Sequence, residues 1–189
     1  MKRAFIAILS FILLLPIYHA SEISTLEADG DVGYRQVGLI WSTDSPTQEG
    51  TIFQIWMSNE TIIETINATM HSQVTVGNTS GLLQPEIGEW YDDCTYNFGD
   101  ENWIPVYRNL DGTAVVPSET IGVNCTLTGI PSGIEIYLAV MVINPSNESI
   151  LSPSISSSST SSDEEIIVIE TSPYIFAIGS IALSVIILL

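Results

Sequence analysis

Five asparagines stand in the Asn-X-Ser/Thr triplet that accepts N-linked sugar: Asn59-Glu60-Thr61, Asn67-Ala68-Thr69, Asn78-Thr79-Ser80, Asn124-Cys125-Thr126 and Asn147-Glu148-Ser149. The chemistry is glycosyl transfer to the side-chain amide, which happens only after a chain has entered the secretory route. One triplet means little, but five between residues 59 and 149 point to a secreted glycoprotein. Cys94 and Cys125 are the only thiols, and in that oxidising compartment they are expected to bond to each other. Closing a loop of about 32 residues contributes roughly 3 to 4.7 kcal/mol on the chain-entropy model.

The segment from Glu86 to Trp103 is the most unusual: Glu-Ile-Gly-Glu-Trp-Tyr-Asp-Asp-Cys-Thr-Tyr-Asn-Phe-Gly-Asp-Glu-Asn-Trp. Carboxylates and amide oxygens this close together are the hard ligands that Ca²⁺ takes six to eight of, yet the spacing matches no EF-hand. No metal site and no cofactor are therefore assigned. Aromatics beside polar groups are what recognition surfaces use, so Trp90, Tyr91, Tyr96 and Trp103 are the ligand-contact candidates. The competing reading is that they plug this segment onto the core.

Catalysis has little to work with. His71 is the one histidine beyond the first 20 residues, next to the Asn67 triplet, where a solvated loop is expected. With both cysteines bonded, neither a nucleophile-base set nor a usual zinc site can be assembled. Asp92 and Asp93 are adjacent, and neighbours on a strand point to opposite faces, which rules out a glycosidase pair. A non-enzymatic function is expected.

The two ends read as addresses. Lys2 and Arg3 precede an apolar run from Ala4 to Leu15, then Pro16 and a small residue at Ala20, which together read as a signal peptide over residues 1–20. From Pro173 to Leu189 the chain is apolar apart from two serines, with no charge after it. As a helix, Tyr174 onward would span about 24 Å, short of the roughly 30 Å of hydrocarbon in a bilayer. A glycosylphosphatidylinositol (GPI) signal fits this tail better than a short transmembrane span, with attachment candidates at Ser159, Ser161 and Ser162 and a spacer from Asp163 to Pro173.

Charge narrows the partners. The chain carries 22 acidic residues against 4 basic ones, a formal net charge of −18. Residues 21–162 retain 18 of the acids but only Arg35 and Arg108, and no lysine. Such a surface repels nucleic acid and anionic headgroups, so no nucleic-acid partner is expected.

These groups must be positioned by short β-rich runs broken by Gly, Pro, Asn and Ser, with no sustained helical period. Strands are predicted at residues 36–41, 51–57, 61–66, 73–76, 104–108, 113–116, 121–127 and 134–143, an inventory that suits an all-β antiparallel sandwich. Alternation in the run Val123 to Leu127 turns Val123, Cys125 and Leu127 inward and Asn124 and Thr126 outward, placing sugar and disulfide on opposite faces. The run from Ile134 to Ile143 is apolar at nearly every position, so its facing is not readable. Beyond Pro153 an almost pure Ser/Thr tract reads as a flexible stalk.

The stretch Thr126-Leu-Thr-Gly-Ile-Pro-Ser-Gly-Ile-Glu-Ile-Tyr-Leu-Ala-Val-Met-Val-Ile-Asn144, continuing to Ser149 and Pro153, resembles the second half of a fibronectin type III domain. Upstream, Val37-Gly-Leu-Ile-Trp41, Ser45-Pro46 and Ile52-Phe-Gln-Ile-Trp56 resemble that family's B strand with its core tryptophan, followed by its C strand. The resemblance implies a sandwich in which Trp41 is the core residue. It departs at Ile136, where the family has its tyrosine, at Pro131, and over residues 83–118, which read as an inserted, disulfide-tethered loop. An immunoglobulin domain is the rival, but its tryptophan lies between the two cysteines, whereas Trp41 and Trp56 precede both.

The organisation expected is a signal peptide at 1–20, a fibronectin type III-like sandwich at 21–153, a Ser/Thr-rich stalk and spacer at 154–172, and a hydrophobic tail at 173–189, with helices only at the termini. The function expected is a membrane-anchored extracellular module for adhesion or recognition. Its partners would be the membrane, through the C-terminal anchor, and a protein or glycan ligand. A coat antigen without a specific ligand and a Ca²⁺-dependent module are the alternatives.

Overall fold

The computed structural model describes residues 21–84 and 93–159. The expected signal peptide, the segment 85–92, and the spacer and tail beyond Ser159 lie outside the described residues. The strands are β1 (Ile23–Gly33), β2 (Gln36–Thr43), β3 (Ile52–Ser58), β4 (Thr69–Val76), β5 (Cys94–Asn97), β6 (Ile104–Pro105), β7 (Tyr107–Arg108), β8 (Ala114–Val116), β9 (Gly122–Leu127), β10 (Ile136–Ile143), β11 (Ser149–Leu151) and β12 (Ile155–Ser157). The described chain is all-β, and its one helical element is a 3-10 turn at Thr65–Asn67.

Two sheets face each other. The first has the order β1-β2-β9-β5-β6, and the second β11-β10-β3-β4-β8-β7, with β12 also on β10. Every pairing is antiparallel except β4 with β8. Period-2 alternation supplies the core. In β2 it buries Val37, Leu39 and Trp41, in β3 Phe53 and Ile55, and in β9 Val123, Cys125 and Leu127. In β10, Leu138, Val140 and Val142 face the core, settling the facing of that apolar run. Trp41 of one sheet meets Phe53 of the other edge-on, with ring centroids 5.7 Å apart.

Four expectations are corrected. Residues 61–66 are not a strand but part of the β3–β4 connection. β-branched residues stabilise a strand only when they pack across one, and here Ile62 alone is buried while Ile63 and Ile66 are exposed. The acidic segment at the start of the chain, which gave no strand signal, forms the long edge strand β1, whose Glu27 and Asp29 sit on the outer-face register.

The described part of the insertion, residues 83–84 and 93–118, is more than a loop. It contributes β5 and β6 to the first sheet and β7 and β8 to the second, because Tyr96, Val106, Ala114 and Val116 each find a place in the core. The fold also runs past Pro153 into the expected stalk. Residues 155–157 pair with the first half of β10, as 149–151 pair with its second half. Pro153 breaks this edge, and the Ser152 hydroxyl fills the gap by accepting from the Val140 N–H at 3.0 Å. Ser159 then bridges to Ser132 and is buried.

Gly30 of β1 lets this C-terminal edge close, because a Cβ there would collide with the Ser158 carbonyl oxygen. A Cβ at Gly77 meets only Val115 Cγ1, at 3.8 Å. Gly30→Ala is therefore expected to destabilise the fold by about 1–3 kcal/mol in urea titration, and Gly77→Ala by less than about 0.5 kcal/mol. Equal midpoints for the two would show that residues 155–159 do not belong to the folded unit.

Candidate functional site

Cys94 and Cys125 are bonded to each other. They are directly opposed on β5 and β9 with Cα atoms 4.0 Å apart. The neighbouring Thr126 N–H donates to the Asp93 carbonyl at 2.7 Å, so the cysteines occupy a non-hydrogen-bonded pair, where side chains approach most closely. Both are buried among the core residues, while Asn124, which precedes Cys125 on β9, is exposed. Sugar acceptor and disulfide thus use opposite faces, as the alternation implies.

The aromatic candidates separate. Tyr96 is buried, packed edge-on against Phe98 at 5.6 Å and beside Tyr107 at 6.5 Å, so it is a core residue and not a contact. Trp103 is half-buried ahead of β6, and Phe98 is exposed. Trp90 and Tyr91 lie outside the described residues. The polar groups of the segment tie its turns: Asn97 Oδ1 accepts from the Gly99 N–H and Asp100 Oδ1 from that of Asn102. Among the described residues no three His, Cys, Asp or Glu side chains gather where a metal could sit.

His71 is also repositioned. It stands on β4, half-buried, with Nε2 2.9 Å from the Thr128 carbonyl oxygen that follows β9, and so ties one sheet to the other. Of the lipid-attachment candidates, Ser159 is occupied by the fold: its hydroxyl donates to the Pro131 carbonyl at 3.2 Å and its own carbonyl accepts from Gly133. Ser161 and Ser162 lie outside the described residues.

All five acceptor asparagines are exposed. Asn59 and Asn67 belong to the β3–β4 connection, where Asn67 Nδ2 donates to Glu60 at 3.2 Å. Asn78 follows β4, and Asn147 sits in the β10–β11 turn at φ 69°, a left-handed conformation that asparagine tolerates. These two share the opposite end, because Ile52 at the start of β3 pairs with both Thr75 and Ile143. Asn124 lies on the outer face of the first sheet, beside Ile40, which in turn pairs with Glu27.

The outer face of the second sheet carries none of these acceptors. Strands β3, β4, β8, β10, β11 and β12 contain no Asp, Glu, Lys or Arg at all. Their outward positions include Trp56 between Ala139 and Met70, and Gln54 between Met141 and Gln73, with Tyr137 and Ile143 along the same face. This surface is the feature that sequence reasoning missed. The alternate positions of residues 52–56 and 137–143 held the signal, but near-continuous apolarity in β10 hid its facing.

Compared with known proteins, the chain matches no family model and no curated sequence.

Two measurements probe this region. Removing the disulfide with Cys94→Ala and Cys125→Ala together should cost about 3 kcal/mol in denaturant titration, and either single variant should cost at least as much. Tyr96 is pushed up from 10.0 to about 12, by burial first and then by the charge and hydrogen bond of Tyr107. The unfolded chain therefore releases this proton before the folded one, so the stabilisation is complete below pH 10 and is lost as pH rises through about 12. The melting temperature should fall across that window, and Tyr96→Phe should flatten the fall; an unchanged slope would place the titration elsewhere.

Proposed function

We propose that the protein is an extracellular glycoprotein, tethered to a membrane through its C-terminal part, whose single sandwich serves non-covalent recognition or adhesion. The observation that carries this reading is the placement of the five acceptor triplets: each asparagine is exposed, and together they leave one broad face bare. A buried cysteine pair joined as a disulfide is compatible with the oxidising compartment that glycosylation requires.

The fold reading within this proposal is fibronectin type III-like. The strand sequence β1, β2, β9, β5 in one sheet and β3, β10 and β11/β12 in the other follows the A-B-E-D and C-F-G arrangement of immunoglobulin-like sandwiches. Two features favour the fibronectin type over the immunoglobulin type. The fully buried tryptophan is Trp41 on β2, while the core positions of β3 hold Phe53 and Ile55. The disulfide joins neighbouring strands of one sheet instead of crossing between sheets. Ile136, buried at the start of β10, takes the place of the family's tyrosine.

The bare apolar face favours recognition over a coat that only shields, since shielding has no use for an unglycosylated surface. Expression of the full chain in a secretory host tests the proposal. Treatment with peptide N-glycosidase should reduce its apparent mass, and phosphatidylinositol-specific phospholipase should release it from intact cells. A sugar-free product in the cytosol, with both thiols titratable, would overturn the reading. Glycosylated protein that stays on cells whose other GPI-anchored proteins are released would replace the lipid anchor with a short span.

A further inference from the structure

We infer that the outer face of the second sheet is a self-association surface, and that its occupant is the same face of a second copy tethered to the same membrane. This rests on the extracellular, tethered reading and names its partner.

Residues 21–162 carry 18 acids against 2 bases, so two copies repel each other wherever charged surfaces approach. The first sheet presents Glu27, Asp29 and the Asn124 acceptor on its outer face. The second sheet presents no charged residue on any strand but β7, whose Arg108 is buried. It is the broad face on which a second acidic, glycosylated copy meets neither charge nor sugar, because the remaining acceptors stand at the two ends of its strands.

Trp56, Met70, Tyr137 and Met141 are partly exposed around Gln54, the mix of aromatic, thioether and amide groups that protein interfaces favour. The Trp56 Nε1–H is buried without an acceptor, so the ring offers an apolar surface rather than a donor for a sugar hydroxyl.

Three strands of 7 and 8 residues, β3, β4 and β10, with β11 and β12 end to end along the free side of β10, cover about 500 Å² in projection. Two such faces bury about 1,000 Å², at the low end for specific complexes, where association is weak and transient. The described chain ends at Ser159, beside Ser132 and close to where Ile136 starts β10, so the tether leaves at one end of the long axis of the face. Copies held in one membrane therefore meet side by side along it, and tethering raises their effective concentration enough for a weak contact to matter.

The test is crosslinking of the full chain on the surface of expressing cells. Gln54→Cys sits near the middle of the face, and Ile40→Cys on the outer face of the first sheet is the control. A short bismaleimide should give a species of twice the chain mass for Gln54→Cys, at least about tenfold above Ile40→Cys, and adding Met141→Glu should remove it by placing like charges across the contact. Equal crosslinking at both positions, no doubling at Gln54→Cys, or persistence with Met141→Glu overturns the inference. So does a crosslinked species of another mass, which would assign the face to a different protein. Surface display and sugar are measured on the same cells, so a chain that never reaches the surface fails the extracellular proposal, whereas a displayed, glycosylated chain that stays monomeric fails only this one. If Gln54→Cys is not displayed, Met70→Cys on the same face replaces it with the same expected outcomes.

Discussion

The contact between Trp41 and Phe53 joins the two sheets across the core. Trp41 comes from β2 of the first sheet, between β1 and β9, and Phe53 from β3 of the second, between β10 and β4. Both rings are fully buried, and the aliphatic residues of β2, β9 and β10 pack around them. Burying two such rings removes some 150–250 Å² each from water, which makes them the largest apolar contributions to the interior. Everything outside follows from this one constraint. Once the inward positions of each strand are committed to the core, the outward positions are assigned by parity, including Asn124 on one sheet and Trp56 on the other.

The same parity explains how a small domain holds an insertion of more than 30 residues without opening. Residues 94–116 do not sit on the sandwich; they extend both of its sheets. The disulfide ties β5 to β9 at a position where the strands are already in register, and Val106, between β6 and β7, enters the core. Tyr96 then packs beside Tyr107, so this one of the aromatic candidates forms a contact between the two halves of the insertion.

How far the sequence discloses this structure depends on whether a residue's signal is local. The alternation from Val123 to Leu127 is local, and it correctly separates the exposed acceptor from the buried cysteine. The β-branched run at 61–66 is equally strong in propensity but has no partner strand, and propensity cannot reveal that. The edge strands β1 and β12 fail in the opposite direction. An acidic edge with Glu27 and Asp29, and a serine-rich one after Pro153, carry the polar composition that protects sheet edges from unwanted pairing, which also makes them read as loops or linker. Among the contact candidates, Tyr96 misleads because aromatic residues serve cores and interfaces alike, and only tertiary position distinguishes the two.

The distribution of charge and acceptor triplets is not set by burial alone. Burial explains why the core lacks charge, but it does not require an outer face to be neutral as well: half-exposed positions such as Gln54, Gln73 and Thr75 would accept Glu or Lys at little cost in stability. In a chain with 22 acidic residues, a multi-stranded surface without one is therefore not dictated by folding. It has a cost, because exposed apolar groups on a sheet invite aggregation, and the ordinary remedy of interspersed charge is absent here. Acceptor sites at both ends of these strands act differently. On the proposed reading they flank the face at its two ends with bulky polar groups while leaving its centre open, which would limit approach to partners that can meet it flat.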